Sequence, residues 1–285
     1  MIDRALLDHA RRLWAELSGA TVAFPSTGFE VTVSQRSLLC PPGWVGLVAL
    51  RGGAVVTAPD EDSAEAVRQA LAGVSVKALT DPAFLRHRLP VADVLGPATL
   101  AYGDASCLRL VESRTERPAT DQIEPGAADH LRQVTAAPIE QRAAARTEQT
   151  APAWNEQAAA ARIEQASAAE LTSLVGKVSE AEAGEAGLDE VTSPVFVLRS
   201  GGEMVAAAGY AIWPAGTAHL SVLTAAEYRG RGLARAVASA AVADASAAGL
   251  VSQWRARPEA SRRVARALGF VELGAQLSIR LQPAA

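Results

Sequence analysis

The chain has 285 residues, is 49% hydrophobic but only 5% aromatic, and carries a formal net charge of −4. That length accommodates two domains, and the mild acidity gives no reason to expect a nucleic-acid or membrane surface over the whole molecule. Only Lys77 and Lys177 among the 27 basic residues are lysine, and much of the apolar content is alanine, so the core is to be built from small side chains at close packing.

Cys40 and Cys107 stand in no metal or redox spacing, which suggests no metal site and a reduced, cytoplasmic setting. The first residues carry Asp3, Arg4, Asp8, His9, Arg11 and Arg12 at helical spacing rather than the apolar run of a secretory leader. An amphipathic helix is predicted over residues 2–18, with Leu6, Leu7, Ala10, Leu13, Trp14 and Leu17 on one side and Gly19 at its end. Phe29 to Gln35 alternates as a strand, and Val45–Leu50 with Ala54–Thr57 around Arg51-Gly52-Gly53 reads as a hairpin. Asp60 starts a helix through Leu71 that Gly73 closes, and Thr80 caps a short helix with Pro82 near its start. Ala98–Tyr102 reads as one more strand. Residues 1–105 thus form an α+β accessory domain, either a degenerate copy of the C-terminal half or an unrelated cap.

Leu108–Glu112 reads as a strand opening a second domain, 106–285, and residues 114–125, polar and punctuated by proline, as a linker. Glu-Gln then recurs at 140–141, 148–149, 156–157 and 164–165. That spacing advances about 80° beyond two helical turns, so the pairs form no single stripe. The stretch at about 115–167 reads as an Ala-rich helical insertion or linker arising by local duplication. Residues 168–183 read as a helix, with Leu171, Leu174, Val175 and Val178 on one face.

Val195–Arg199, Met204–Ile212 and Ala218–Thr224 read as three strands, the first two joined by the turn Ser200–Glu203. The uncharged run 204–226 could span a bilayer on length alone. Gly209, Trp213-Pro214-Ala215-Gly216 and His219 in its middle favour two strands and a turn instead. Glu227-Tyr228-Arg229-Gly230-Arg231-Gly232-Leu233-Ala234 then opens an Ala/Val-rich helix to about Ala248, which buries Leu233, Ala236, Val237, Ala240 and Ala241 and which Gly249 caps. Leu250–Arg255 is a fourth strand, Pro258–Leu268 a helix, and Phe270–Leu273 and Gln276–Leu281 two closing strands.

A strand, a tight Gly/Arg turn and a helix start make an anion site. The first helical N–H groups have no internal partner, Gly230 and Gly232 let the backbone approach a ligand closely, and Arg229 and Arg231 add positive charge. Each such end effect is worth about 0.3–1 kcal/mol, so several must act together. Residues 229–280 hold nine Arg against Asp244, Glu259 and Glu272, a basic segment that suits a polyanionic ligand. No lysine follows the glycines as a P-loop requires, and Arg235 occupies the third glycine position of a dinucleotide fingerprint. Arg229–Ala234 does fit Arg/Gln-x-x-Gly-x-Gly/Ala, and resembles the pyrophosphate loop of the GNAT superfamily of acyl-CoA-dependent N-acyltransferases. Ala260-Ser261-Arg262-Arg263-Val264-Ala265-Arg266-Ala267-Leu268-Gly269-Phe270 resembles that family's fourth helix, at the spacing the family requires. The order of elements over 107–285 is similar to the GNAT fold, an α+β architecture with a mixed, mainly antiparallel central sheet flanked by helices. The resemblance does not reach residues 1–105.

The resemblance implies an N-acetyltransferase that moves an acetyl group from acetyl-CoA to a primary amine of a small molecule or peptide, by direct attack in a ternary complex. Val222, Leu223 and Thr224 would lend their backbone to the pantetheine arm, with a strand amide near Val222 facing the oxyanion. Arg229, Gly230, Arg231, Gly232, Leu233 and Ala234 would take the pyrophosphate, and Ser261 would hydrogen-bond the cofactor. Two positions depart from the family: Pro258 replaces an Asn, and Ala265 replaces the Tyr that protonates the leaving thiolate. The family's strand base would fall at Ala218 or Leu220, neither of which can act. His219 between them, and Glu190 in an acidic segment with Glu185 and Asp189, are the candidate catalytic groups. Their plainer readings are a sheet histidine packed under a helix and a solvated loop. The missing base and acid favour an alternative, a catalytically inactive CoA-binding domain that regulates or scaffolds a partner. No aromatic–basic interleaving points to nucleic acid, no membrane partner is expected, and a homodimer stays open.

Overall fold

The computed structural model describes residues 4–104 and 163–282. The strand expected at Leu108–Glu112, the linker at 114–125, Cys107 and the first three Glu-Gln pairs lie outside the described residues. The elements in order are α1 (Arg4–Leu17), β1 (Gly28–Val33), β2 (Val45–Leu50), β3 (Gly53–Ala58), α2 (Glu61–Leu71), α3 (Pro82–Arg88), β4 (Val91–Gly103), β5 (Glu164–Ala166), α4 (Thr172–Val175), α5 (Glu180–Ala186), β6 (Val195–Ser200), β7 (Glu203–Trp213), β8 (Thr217–Thr224), α6 (Leu233–Ala247), β9 (Val251–Ala256), α7 (Glu259–Ala267) and β10 (Val271–Leu281).

The ten strands among the described residues join one sheet in the order β1-β3-β2-β10-β4-β9-β8-β7-β6-β5. The β1–β3 and β8–β9 pairings are parallel and the others antiparallel. The architecture is therefore α+β, with a mixed, mainly antiparallel sheet flanked by helices, as the resemblance implies. β2 and β3 are apolar at nearly every position because both faces are covered. Val45, Leu47 and Ala49 pack with α2 and α3, while Val48 and Leu50 pack with Leu13 and Trp14 of α1. Farther along, α6 and α7 cover one face of β6–β9 through Leu233, Val237, Ala241, Val242, Ala265 and Leu268.

The sequence boundary at residue 105 does not divide this sheet. β4, from the N-terminal part, lies between β10 and β9, both from the C-terminal part. Helix α1 ties the parts together as well. Trp14 Nε1 donates to Tyr102 Oη at 2.6 Å, its ring meets Trp213 edge-on at 6.3 Å, and His9 Nε2 is 2.8 Å from Thr217 Oγ1.

Four local expectations are corrected. Asp81, not Thr80, caps α3, because its carboxylate reaches the N–H groups of Ala83 and Phe84. Residues 168–183 are not one helix: α4 ends at Gly176, and Ser179 with Glu182 forms a capping box that starts α5 anew. The fourth Glu-Gln pair, Glu164-Gln165, is not linker or helix but lies in β5, in register with Val197 and Phe196. Residues 271–281 form one strand rather than two. Its register with β4 shifts between Glu272 and Gly274, between Gln276 and Ser278 and between Arg280 and Leu281, and a Cβ on Gly274 would lie 1.8 Å from Ala49 O, so the neighbouring backbone excludes any side chain there. The run 204–226 forms β7 and β8, and no helix among the described residues is long and apolar enough to cross a membrane.

Candidate functional site

β8 and β9 pair only over Thr217–His219 and Val251–Gln253, although β8 continues to Thr224 and β9 to Ala256. Beyond His219 the strands part, and that edge of β8 loses β9 as a neighbour. The gap opens into a cleft of about 860 Å³. β8 contributes Leu220, Val222, Leu223 and Thr224 to its wall, and the turn into α6 contributes Tyr228, Arg229, Gly230 and Gly232 to Arg235. Trp254, Arg255 and Arg257 come from β9 and its end, Ser261, Arg263 and Val264 from α7, and Glu182 and Glu185 from α5.

The loop owes its shape to two glycines. Gly230 and Gly232 have φ of 76° and 78°, and a Cβ on either would meet nothing within 4 Å. Backbone conformation, not crowding, calls for glycine at both, and both leave the approach open to a ligand. Gly232 is the N-cap of α6 and provides no side-chain cap. Ala236 N is bonded to Gly232 O at 3.1 Å, so the N–H groups of Leu233, Ala234 and Arg235 have no partner within the helix. They face the cleft from the positive end of a 15-residue helix.

Three side chains complete this end. Arg229 donates from Nη1 to Glu182 Oε1 at 2.7 Å and from Nε to Thr224 O at 3.3 Å. The Glu182 carboxyl is pulled down to about 2, first by Arg229 and then by the Ser179 amide and hydroxyl. Ser261 Oγ accepts from Trp254 Nε1 at 2.9 Å, which leaves its own O–H to donate. Thr224 Oγ1 is buried with no hydrogen-bond partner among the described residues. A ligand that fits must therefore bring negative charge to the α6 end and polar groups along β8.

Of the residues that the sequence assigned to cofactor binding, Val222, Leu223, Thr224, Arg229, Gly230, Gly232, Leu233, Ala234 and Ser261 all line this cleft. Arg231 does not; its guanidinium lies 5.1 Å from the ring centroid of Tyr228, which does. Neither candidate catalytic residue lines the cleft. Glu190 sits exposed in a 3₁₀ turn after α5, whereas Glu185 lines the cleft and is ion-paired with Arg257. His219 is buried, hydrogen-bonded through Nδ1 to Gln253 Oε1, and stacked on Trp213 at 3.9 Å. Ala265, at the position of the family's acid, is buried in the core rather than at the cleft.

Burial, with help from Arg255, pulls the His219 imidazole down to about 4, against a weaker opposing effect of Gln253. Its ring is neutral at pH 7. The unfolded chain binds this proton below pH about 6.5 and the folded chain only near 4, so stability falls as pH drops through that window. The expected loss is about 3 kcal/mol, read from urea titrations at pH 6.5 and 4; His219→Gln removes that component of the difference.

Arg255, Arg257, Arg263 and Arg235 were not singled out by sequence, although all belong to the basic segment after Arg229. Residues 195–275 match the GNAT acetyltransferase family model. No curated protein matches the chain. Among solved structures, an acetyltransferase of the GNAT family from Novosphingobium aromaticivorans is 19% identical over 66% of this chain and 65% of that one, with a TM-score of 0.38. The chain thus spans just under two thirds of that protein's length. A GCN5-related N-acetyltransferase-like protein from Streptococcus suis is 16% identical over 84% of each chain, with a TM-score of 0.42. An acetyltransferase from Salmonella typhimurium, solved with its cofactor acetyl-CoA, is 18% identical over 67% of this chain and 97% of that one, with a TM-score of 0.28.

Proposed function

We propose that this chain, whose residues 195–275 match the GNAT acetyltransferase family model, is an acetyl-CoA-dependent N-acetyltransferase acting on the primary amine of a small molecule or peptide, in the cytoplasm. The observation that carries the reading is the uncapped start of α6 facing the gap between β8 and β9. Acetyl-CoA would supply a thioester for the neutral amine to attack, with the thiolate leaving. The chain's part is to hold the two reactants together. The N–H groups at the start of α6 and Arg229 would bind the pyrophosphate, the open edge of β8 would run beside the pantetheine arm, and Ser261 would donate to the cofactor. A β8 amide near Val222 would face the developing oxyanion. Of the acidic segment, Glu185 rather than Glu190 is the residue at the cleft. It is the group we assign to receive the ammonium proton, directly or through water.

One observation favours a second reading, a CoA-binding domain without catalysis. Ala218 and Leu220 offer no base, His219 is buried away from the cleft and neutral, and Ala265 faces the core. Calorimetric titration of acetyl-CoA, followed by an assay of free thiol release with a panel of amines, separates the two. Micromolar binding with thiol release is the expected result. Binding without release from any amine supports the second reading, and no binding by folded protein removes both.

A further inference from the structure

We infer that the acceptor amine carries a carboxylate and that Arg255 holds it, an inference that rests on the acetyltransferase reading above. The cleft adjoins a recess of about 80 Å³ with which it shares Glu185, Arg255 and Arg257; Gly96 of β4 and Gln276 and Ser278 of β10 help wall it. The recess thus has three charged groups, and two of them are committed to each other, Arg257 to Glu185. The Arg255 side chain, on a solvent-exposed residue of β9, makes no hydrogen bond and no ion pair within 4 Å among the described residues; Glu190 acts on it only at longer range. Its guanidinium lies 5.8 Å from the Trp213 ring centroid, and Trp213 is itself fixed by stacking on His219 at 3.9 Å. A planar cation seated near an aromatic ring, with its donors uncommitted, is matched by a carboxylate, which takes two parallel N–H bonds.

A second observation is independent of charge. Gln276 is 8% exposed, its Nε2 donates to Leu39 O at 2.7 Å, and its Oε1 is buried with no partner. Gln276 belongs to the recess wall, and a ligand N–H or O–H that reached this oxygen would satisfy it. A fork of donors, a lone acceptor and the Glu185 carboxylate together complement a small zwitterion such as an amino acid. A polyamine fits poorly, because its several cations would meet two guanidinium groups, Arg255 and Arg257, and a single carboxylate.

The test uses the full chain with acetyl-CoA, and follows thiol release with the standard amino acids, their α-carboxamides and spermidine. At least one amino acid is expected to exceed its carboxamide in kcat/KM by roughly tenfold or more, mainly through KM. Arg255→Gln should collapse that ratio, and Arg255→Lys should restore part of it. Carboxamides or spermidine acetylated as well as the amino acids, or a preference that Arg255→Gln leaves intact, would overturn the inference while the acetyltransferase reading stands. Acetyl-CoA bound with no amino acid acetylated overturns it too. Absence of acetyl-CoA binding by calorimetry overturns both.

Discussion

Gly232→Asp is expected to abolish acetyl-CoA binding in a protein that still folds. Gly232 has φ of 78°, a left-handed conformation that costs most residues about 1–2 kcal/mol but that Asp tolerates better than most. Its Cβ would meet no atom within 4 Å, and a carboxylate at the start of α6 is favoured by the helix dipole. Folding therefore loses little. Binding loses much, because the new charge would sit where a diphosphate must come. Two unit charges about 4 Å apart repel by about 4 kcal/mol at an effective dielectric of 20, or roughly a thousandfold in Kd. Gly232→Ala separates the causes: it bears the backbone strain, adds no charge, and should weaken binding by only about tenfold. Calorimetry gives the affinities, and thermal unfolding shows whether the fold is kept. Unchanged affinity in the Asp variant would move the ligand away from the start of α6.

This loop was legible in the sequence because it is local. A strand, two glycines and a helix start fall within one short stretch, and Ala260–Phe270 repeats a recognisable helix nearby. Local signals also explain the break in 168–183. The apolar spacing of Leu171, Leu174 and Val178 runs on across it, but Ser179 and Glu182 already spell a capping box. The alternation of β8 puts His219 on the other face from Leu220, and there it stacks on Trp213, whose ring meets Trp14 of α1. What local pattern could not give is the wall opposite the loop. Glu182 reaches Arg229 across 47 residues of chain, and Glu185 of the same helix meets Arg257 at the end of β9, from a distant part of the sequence. No periodicity encodes where two parallel strands separate. Nor does any pattern in Val91–Gly103 reveal that its neighbours are β9 and β10, since a continuous buried sheet requires apolar residues whichever strands flank it.

That placement of β4 makes a second large effect expected: residues 106–285 alone should not fold cooperatively. Nine residues of β10 and five of β9 are in register with β4, and β10 is paired on its other edge with β2, so removal of the N-terminal part leaves β10 with no strand partner and β9 with a bare edge. Burial is lost with it. Leu277 and Ile279, fully buried among the side chains of β2, β3, α2 and α3, and Leu273, 2% exposed in the cluster with α1, would all face water. Each such side chain contributes about 1.5–3 kcal/mol when buried. Together they approach the whole stability of an ordinary domain, about 5–15 kcal/mol. The expected result is a weak, non-cooperative thermal transition and no acetyl-CoA binding. Supplying residues 1–104 as a separate chain should restore both, because it returns β2 and β4, the two strands between which β10 is held, and β4 again covers the edge of β9. A cooperative transition with acetyl-CoA binding by 106–285 alone would instead make the N-terminal part an appendage to a self-sufficient domain. The shared sheet argues against that outcome: the strand that completes it comes from the other side of residue 105, and the cleft opens along β9, the strand that β4 supports.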